Sequence, residues 1–313
     1  MRGIEISELF YREYGEPMLK ERFAEYLPFI AVGLAGCGSE RFGYDDEISR
    51  DHDFEAGFCI FLPDESLVDR KTEFALERAY SKLPDDFMGI KRAQLSAVGG
   101  NRYGIIRISD FLLEKTGSAD GALSLKQWLF TPEQSLAEAT NGKIFYDGSG
   151  AFSKIRKELE YMPEDVRLKK LAGEILVMGQ SGQYNYLRCA ARGESGAAQL
   201  AIIEFARSAM HAIFLLNKRY MPYYKWSFRA LREAERLSEL SFDLEYLISS
   251  GNSEYEVTQK QIKIERISTE IIKELREQGI SDFSSGELEG HAYAVNSKIS
   301  DAELRNMHIL SAI

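Results

Sequence analysis

Cysteine, positive charge and long apolar runs are all scarce in this chain, and each shortage removes a class of function. Cys37, Cys59 and Cys189 are the only cysteines among 313 residues, and they lie far apart. That spacing fits neither a disulfide scaffold nor a paired-cysteine zinc site, and the expectation is reduced, mostly buried thiols. No apolar run reaches membrane-spanning length and the first residues lack a signal-peptide core, so a cytoplasmic protein with no membrane partner is expected. Lys and Arg number 39 against 49 Asp and Glu, a formal charge of −10. Extended binding along a nucleic-acid backbone draws on clustered cations, so that balance argues against it while leaving room for a local basic pocket. Internal repeats and low-complexity tracts are also missing.

What is present is an ordinary globular composition, 44% hydrophobic and 28% charged, long enough for two domains with a core each. Helical periodicity covers Ile6 to Tyr26, interrupted at Gly15-Glu16-Pro17. The apolar, small-residue run Phe29–Gly36 predicts a buried strand, and a second strand is expected over 51–62. Pro63-Asp64-Glu65-Ser66 precedes an amphipathic helix over 67–83, residues 85–102 have no clear pattern, and Tyr103–Ile108 predicts another strand. Thr131-Pro132-Glu133-Gln134 has the composition of a capping box, and Lys143–Tyr146 is a last short strand. From Ala151 to residue 311 helical patterns dominate, with a long one from Glu254 to Glu277. The prediction is an α+β chain: a mixed N-terminal domain over 1–150 with a small mixed sheet, then an all-helical domain over 151–313.

The most informative short segment is Asp51-His52-Asp53, preceded by Gly38-Ser39. Strand alternation puts Asp51 and Asp53 on one face. Two adjacent carboxylates at the start of an apolar strand repel each other unless a cation lies between them, and a hard divalent ion such as Mg²⁺ suits oxygen ligands of this kind. Gly38 offers a turn at which backbone can approach a phosphate, with the Ser39 hydroxyl and neighbouring amides as donors. Cradle, spacer and paired carboxylates together predict metal-assisted nucleotidyl transfer.

The stretch GCGSERFGYDDEISRDHDF, from Gly36 to Phe54, resembles the active-site signature of the nucleotidyltransferase superfamily with the DNA polymerase β-like fold. More narrowly, that block and a second one, Leu215 to Trp226, resemble the bacterial DUF4037 proteins. The resemblance implies a polymerase β-like N-terminal domain, Mg²⁺ held by Asp51 and Asp53, and an NTP, ATP foremost, as donor. It also implies a third carboxylate on a neighbouring strand. Asp110 is the candidate, although Ser109-Asp110 before Phe111 is equally an ordinary helix start. Glu55 and the acidic loop Asp45-Asp46-Glu47 are supporting candidates.

Asn217–Trp226 gathers four aromatics and three cations around Pro222, which removes an amide donor and predicts a break between helices. Tyr223 and Tyr224 could stack on a base or acceptor and Lys225 could reach a phosphate; the alternative is a hinge packed in the core. Gln183–Arg188 could face a substrate cleft with them. Arg207 and His211 lie on one helix face, too close in sequence for the helical RNases that accompany some nucleotidyltransferases. Two functions follow as expectations. One is transfer of a nucleoside monophosphate, AMP foremost, to an acceptor hydroxyl or amine, a small molecule favoured over a protein or an RNA end. The other is a nucleotide-binding or antitoxin-like regulatory module with little turnover.

Overall fold

The computed structural model describes residues 1–46, 56–91, 102–311 and 313. Asp51, Asp53 and Glu55 lie outside the described residues, as do Glu47 and most of the 85–102 stretch. Two compact units emerge: Met1–Leu123 with Ser135–Glu160, and Ser124–Gln134 with Tyr161–Ile313. The helix Ala151–Glu158, just beyond the expected boundary near 150, falls with the sheet-bearing unit.

In that unit the strands are β1 (Ala31–Leu34), β2 (Cys59–Leu62), β3 (Asp86–Phe87), β4 (Ile90–Lys91), β5 (Gly104–Arg107) and β6 (Lys143–Asp147). Four of them form one mixed sheet in the order β5-β2-β1-β6, while β3 and β4 pair as a separate hairpin. β1 runs antiparallel to β2 and β6, and β2 runs parallel to β5. Every residue of β1 and β2 is buried, because helices cover both faces and leave no polar side to alternate. Phe58, Ile60 and Leu62 pack with Phe10, Leu19, Leu76 and Tyr80 from the N-terminal helices and the helix Arg70–Tyr80. On the opposite face Phe61 meets Phe152 at 4.5 Å and Phe111 at 5.4 Å between ring centroids.

Several expected boundaries shift for identifiable reasons. The helix after Pro63 begins only at Arg70, because Asp69 caps it by accepting from the Thr72 amide, 2.8 Å. The capping box lies one helix earlier than Thr131: Ser124 and Gln127 exchange those bonds at the start of Leu125–Phe130. Thr131 instead donates its hydroxyl to the Gln127 carbonyl, 2.7 Å.

The second unit is helical throughout its described residues. The long helix is Glu254–Glu277, capped by Ser253 and Glu256 and packed through Ile264, Ile267 and Ile271. Glu164–Met178 is buried on almost every side, against Ser195–Leu216 and Leu288–Ser297. A helix enclosed in this way must pair its charged residues internally. Ser195–Leu216 qualifies the expectation about apolar runs: it is long and apolar enough by composition to cross a membrane. Of its most apolar 18-residue window, 67% is nevertheless buried inside the protein, as in a core helix.

Candidate functional site

Sheet topology brings three chain segments to one edge. β1 is antiparallel to β2 with Gly33 opposite Cys59, and Cys59 is also opposite Gly104 of the parallel strand β5. The chain therefore leaves β1 into the Gly36–Gly43 turn at the edge where β2 and β5 begin. Gly36 and Gly38 adopt φ of +103° and +142°, in the region L side chains avoid. Ser39 then opens a short helical turn, Ser39–Phe42.

This turn is held rigidly from beneath. Asn141 accepts from the Gly36 amide at 2.9 Å and donates to the Gly36 carbonyl at 2.8 Å. The Gly142 amide donates to the Arg41 carbonyl, 2.9 Å. Arg41, 3% exposed, pairs with Glu40 at 2.6 Å and donates to the carbonyls of Cys37 and Arg102, lying over the Tyr103 ring at 4.9 Å. Burial opposes its charge, but Tyr103 and Glu40 more than offset that and raise its pKa. Turn and β5 entrance are thus tied by one guanidinium, whose planar fork of donors suits several acceptors at once. Neither Asn141 nor Arg41 was singled out from sequence; an Asn-Gly after a helix and a Glu-Arg within a turn carry no local signal of such reach.

The thiols differ sharply. Cys37 is exposed on the turn, whereas Cys59 is buried and its thiol is pushed up to about 11 by burial. A maleimide is expected to label Cys37 and leave Cys59 intact in the folded protein, since only a thiolate in reach of solvent reacts. Mass mapping of labelled peptides checks this; labelling of Cys59 first would contradict the arrangement.

Asp110 does not join this edge. It lies past the far end of β5, where Arg107 is opposite Leu62, exposed in the first turn of the helix Ile108–Thr116. The N-cap of that helix is Arg107, two residues before Ser109, and Asp110 inside the first turn complements the helix dipole. Asp45 is likewise engaged, accepting from the Gly3 amide at 2.8 Å at the start of the first helix. No Asp or Glu occurs between residues 92 and 107, so β5 brings no carboxylate of its own to its entrance.

The Asn217–Trp226 block separates into two parts. Helix Ser195–Leu216 ends as Asn217 donates to the Ile213 and Arg236 carbonyls and accepts from the Arg236 amide at 2.9 Å. Tyr220 packs against Tyr161 with ring centroids 5.4 Å apart, and burial pushes its hydroxyl pKa up. Beyond Pro222 the block is exposed: Tyr224 is 74% exposed, Tyr223 less so, and the Lys225 ammonium lies 4.5 Å from the Trp226 ring. Residues 217–222 are therefore a packed hinge and 223–225 a presented face. Gln183 is occupied in tying Gly286 and Leu288, rather than facing open space.

A cluster that sequence patterns did not reveal lies in the helical unit. His211 meets Glu174 through Nδ1 at 2.6 Å and Glu133 through Nε2 at 2.8 Å. Lys170 is 3.6 Å from the same Glu133, and all three partners are buried. Burial alone would lower the imidazole pKa; the two carboxylates outweigh it and raise it to about 9. Residues from three separate segments meet here, which no local spacing encodes.

Among the described residues there is no group of three or more His, Cys, Asp and Glu side chains that could hold a metal ion. Residues 128–227 match the family described as a domain of unknown function, DUF4037. The match contains the block around Pro222 and the His211 cluster, and does not include the Gly36–Phe54 segment. No curated protein matches the chain. The chain is similar to the crystal structure of a nucleotidyltransferase-like protein from Exiguobacterium sibiricum 255-15, at 12% identity and a TM-score of 0.36, over 84% of this chain and 79% of that one.

Proposed function

We propose that this chain, with its DUF4037 segment and its small mixed sheet, is a nucleotidyltransferase that moves a nucleoside monophosphate, AMP foremost, from an NTP to an acceptor hydroxyl or amine. The observation that carries the reading is the convergence at one sheet edge of the Gly36–Ser39 turn and the start of β2. Asp51 and Asp53 lie eight and six residues before that strand in sequence. The two carboxylates are hard oxygen donors that would hold Mg²⁺, which when bound neutralises charge developing on the phosphates. The turn, fixed by Asn141 and Arg41, supplies preorganised amides and the Ser39 hydroxyl toward phosphate oxygens, without reorganisation during the reaction. Tyr223, Tyr224 and Lys225 are the exposed aromatic and cationic groups we assign to base or acceptor contact. A small-molecule acceptor, in a cytoplasmic setting, suits an acidic chain that would attract a cationic compound.

Pyrophosphate release from mixed NTPs with Mg²⁺, measured across an acceptor panel, tests this reading. Release that requires both an NTP and an acceptor supports it. The second reading, a regulatory module that binds nucleotide with little turnover, draws on the missing carboxylate at the β5 entrance. Tight NTP binding without pyrophosphate release under any acceptor would favour that module. In either case Ser39→Ala is expected to weaken NTP binding by about 1–2 kcal/mol, the scale of one hydrogen bond to a charged group. Calorimetry returning unchanged affinity would remove the hydroxyl from the cradle.

A further inference from the structure

The His211 cluster adjoins the hinge that presents Tyr223, Tyr224 and Lys225. A neutral imidazole has one N–H, so it can donate to one carboxylate at most; with both carboxyls ionised, contacts of 2.6 and 2.8 Å from the two ring nitrogens call for the imidazolium. Glu133 uses its other oxygen to accept from the Met221 backbone amide, 3.3 Å. Met221 lies between Tyr220, packed on Tyr161, and Pro222, after which Tyr223 starts the helix Tyr224–Arg232. The carboxylate that answers the imidazolium therefore also holds the hinge backbone.

We propose that His211, gripped between Glu133 and Glu174, is a positioning residue that fixes the Met221–Tyr223 hinge through Glu133 and so sets where Tyr223, Tyr224 and Lys225 stand. The clamp itself does not depend on the nucleotidyltransferase reading, which enters only in what those three side chains contact. The groups that meet the imidazole are Glu174 and, from the Ser124–Gln134 segment, Glu133; around Glu133 stand Lys170, on the same helix as Glu174 and 3.6 Å away, and Tyr161 and Tyr220, whose hydroxyls burial raises and the Glu133 charge raises further. On deprotonation, one of the two carboxylates faces a lone pair instead of a donor. Lys170 remains to neutralise Glu133, so the expected result is a loosened hinge rather than an unfolded unit. Because the imidazole pKa is raised on folding, its stabilisation is complete below about 6.5, the unfolded value. It is lost as pH rises through about 9.

The test is side-chain and amide NMR on the full chain, with no nucleotide present. At pH 7.5 both ring nitrogens of His211 are expected to carry protons, and deprotonation at higher pH is expected to move the Met221 and Tyr223 amide resonances together with the ring signals. A neutral imidazole at pH 7.5, or deprotonation that leaves both amides unmoved, overturns the proposal. In His211→Gln, compared with the parent at one pH, the Met221 amide is expected to exchange about tenfold faster, the scale of one hydrogen bond to a charged group. Unchanged exchange in a folded variant also overturns it; if that variant does not fold, the titration of the parent protein still decides. Since no readout involves an NTP, failure of the clamp and failure of the proposed activity are separable.

Discussion

Asp51→Asn and Asp53→Asn are each expected to lower Mg²⁺-dependent NTP affinity and turnover by more than ~100-fold, since even residues that merely support metal ligands cost 10–100-fold when replaced. The expectation rests on charge. Two carboxylates two residues apart in sequence repel each other, and a cation bound between them relieves that repulsion. Asn keeps the size and one acceptor oxygen but removes the charge, so the fold should survive: circular dichroism and thermal midpoint should stay at parental values or rise slightly as the repulsion is relieved. Calorimetric titration of Mg²⁺ with a non-hydrolysable NTP analogue measures the loss. Parental affinity in both variants would dismantle the metal assignment, whatever the turnover.

The second large effect is expected at Gly38, and the structure changes its reason. From sequence, Gly38 is open so that a phosphate can approach. In the fold, a Cβ at this position would lie 2.4 Å from one Glu40 carboxylate oxygen and 2.6 Å from the Arg41 guanidinium, at φ +142°. Gly38→Val would push apart a buried ion pair that also joins the turn to the β5 entrance. Separating such a pair costs about 3–5 kcal/mol, because charge is left buried without its partner. For a domain of this size that is a fall of roughly 6–20 °C in Tm, besides the loss of NTP binding. A Gly38→Val protein with the parental Tm would show that Glu40 and Arg41 yield without cost. Parental NTP binding in the same protein would take the turn out of the phosphate site. Asn141→Ala is a useful comparison: it releases Gly36 without touching the ion pair, so it loosens the cradle by hydrogen bonding alone.

What the sequence determined by itself is local. Apolar runs marked β1, β2 and β5; in β1 and β2 every residue is buried, which leaves no alternation to hide them. Regularly spaced isoleucines among mixed charges marked Glu254–Glu277. Glycines before Ser39 marked a turn with unusual backbone, and Pro222 marked a break between helices. In each case the signal and the structure it causes occupy the same few residues. The tertiary structure decided everything that depends on distant segments meeting. Strand direction put Asp110 at the opposite end of β5 from the turn, although its position after a strand gave no hint of which end that would be. Asn141 reaches Gly36 across 105 positions, and Glu133 reaches His211 across 78. Both pairings arise because buried polar groups must find partners wherever packing brings them. That packing divided Asn217–Trp226 into a partly buried hinge and an exposed face at 223–225, a division the aromatic and cationic composition of the segment could not express.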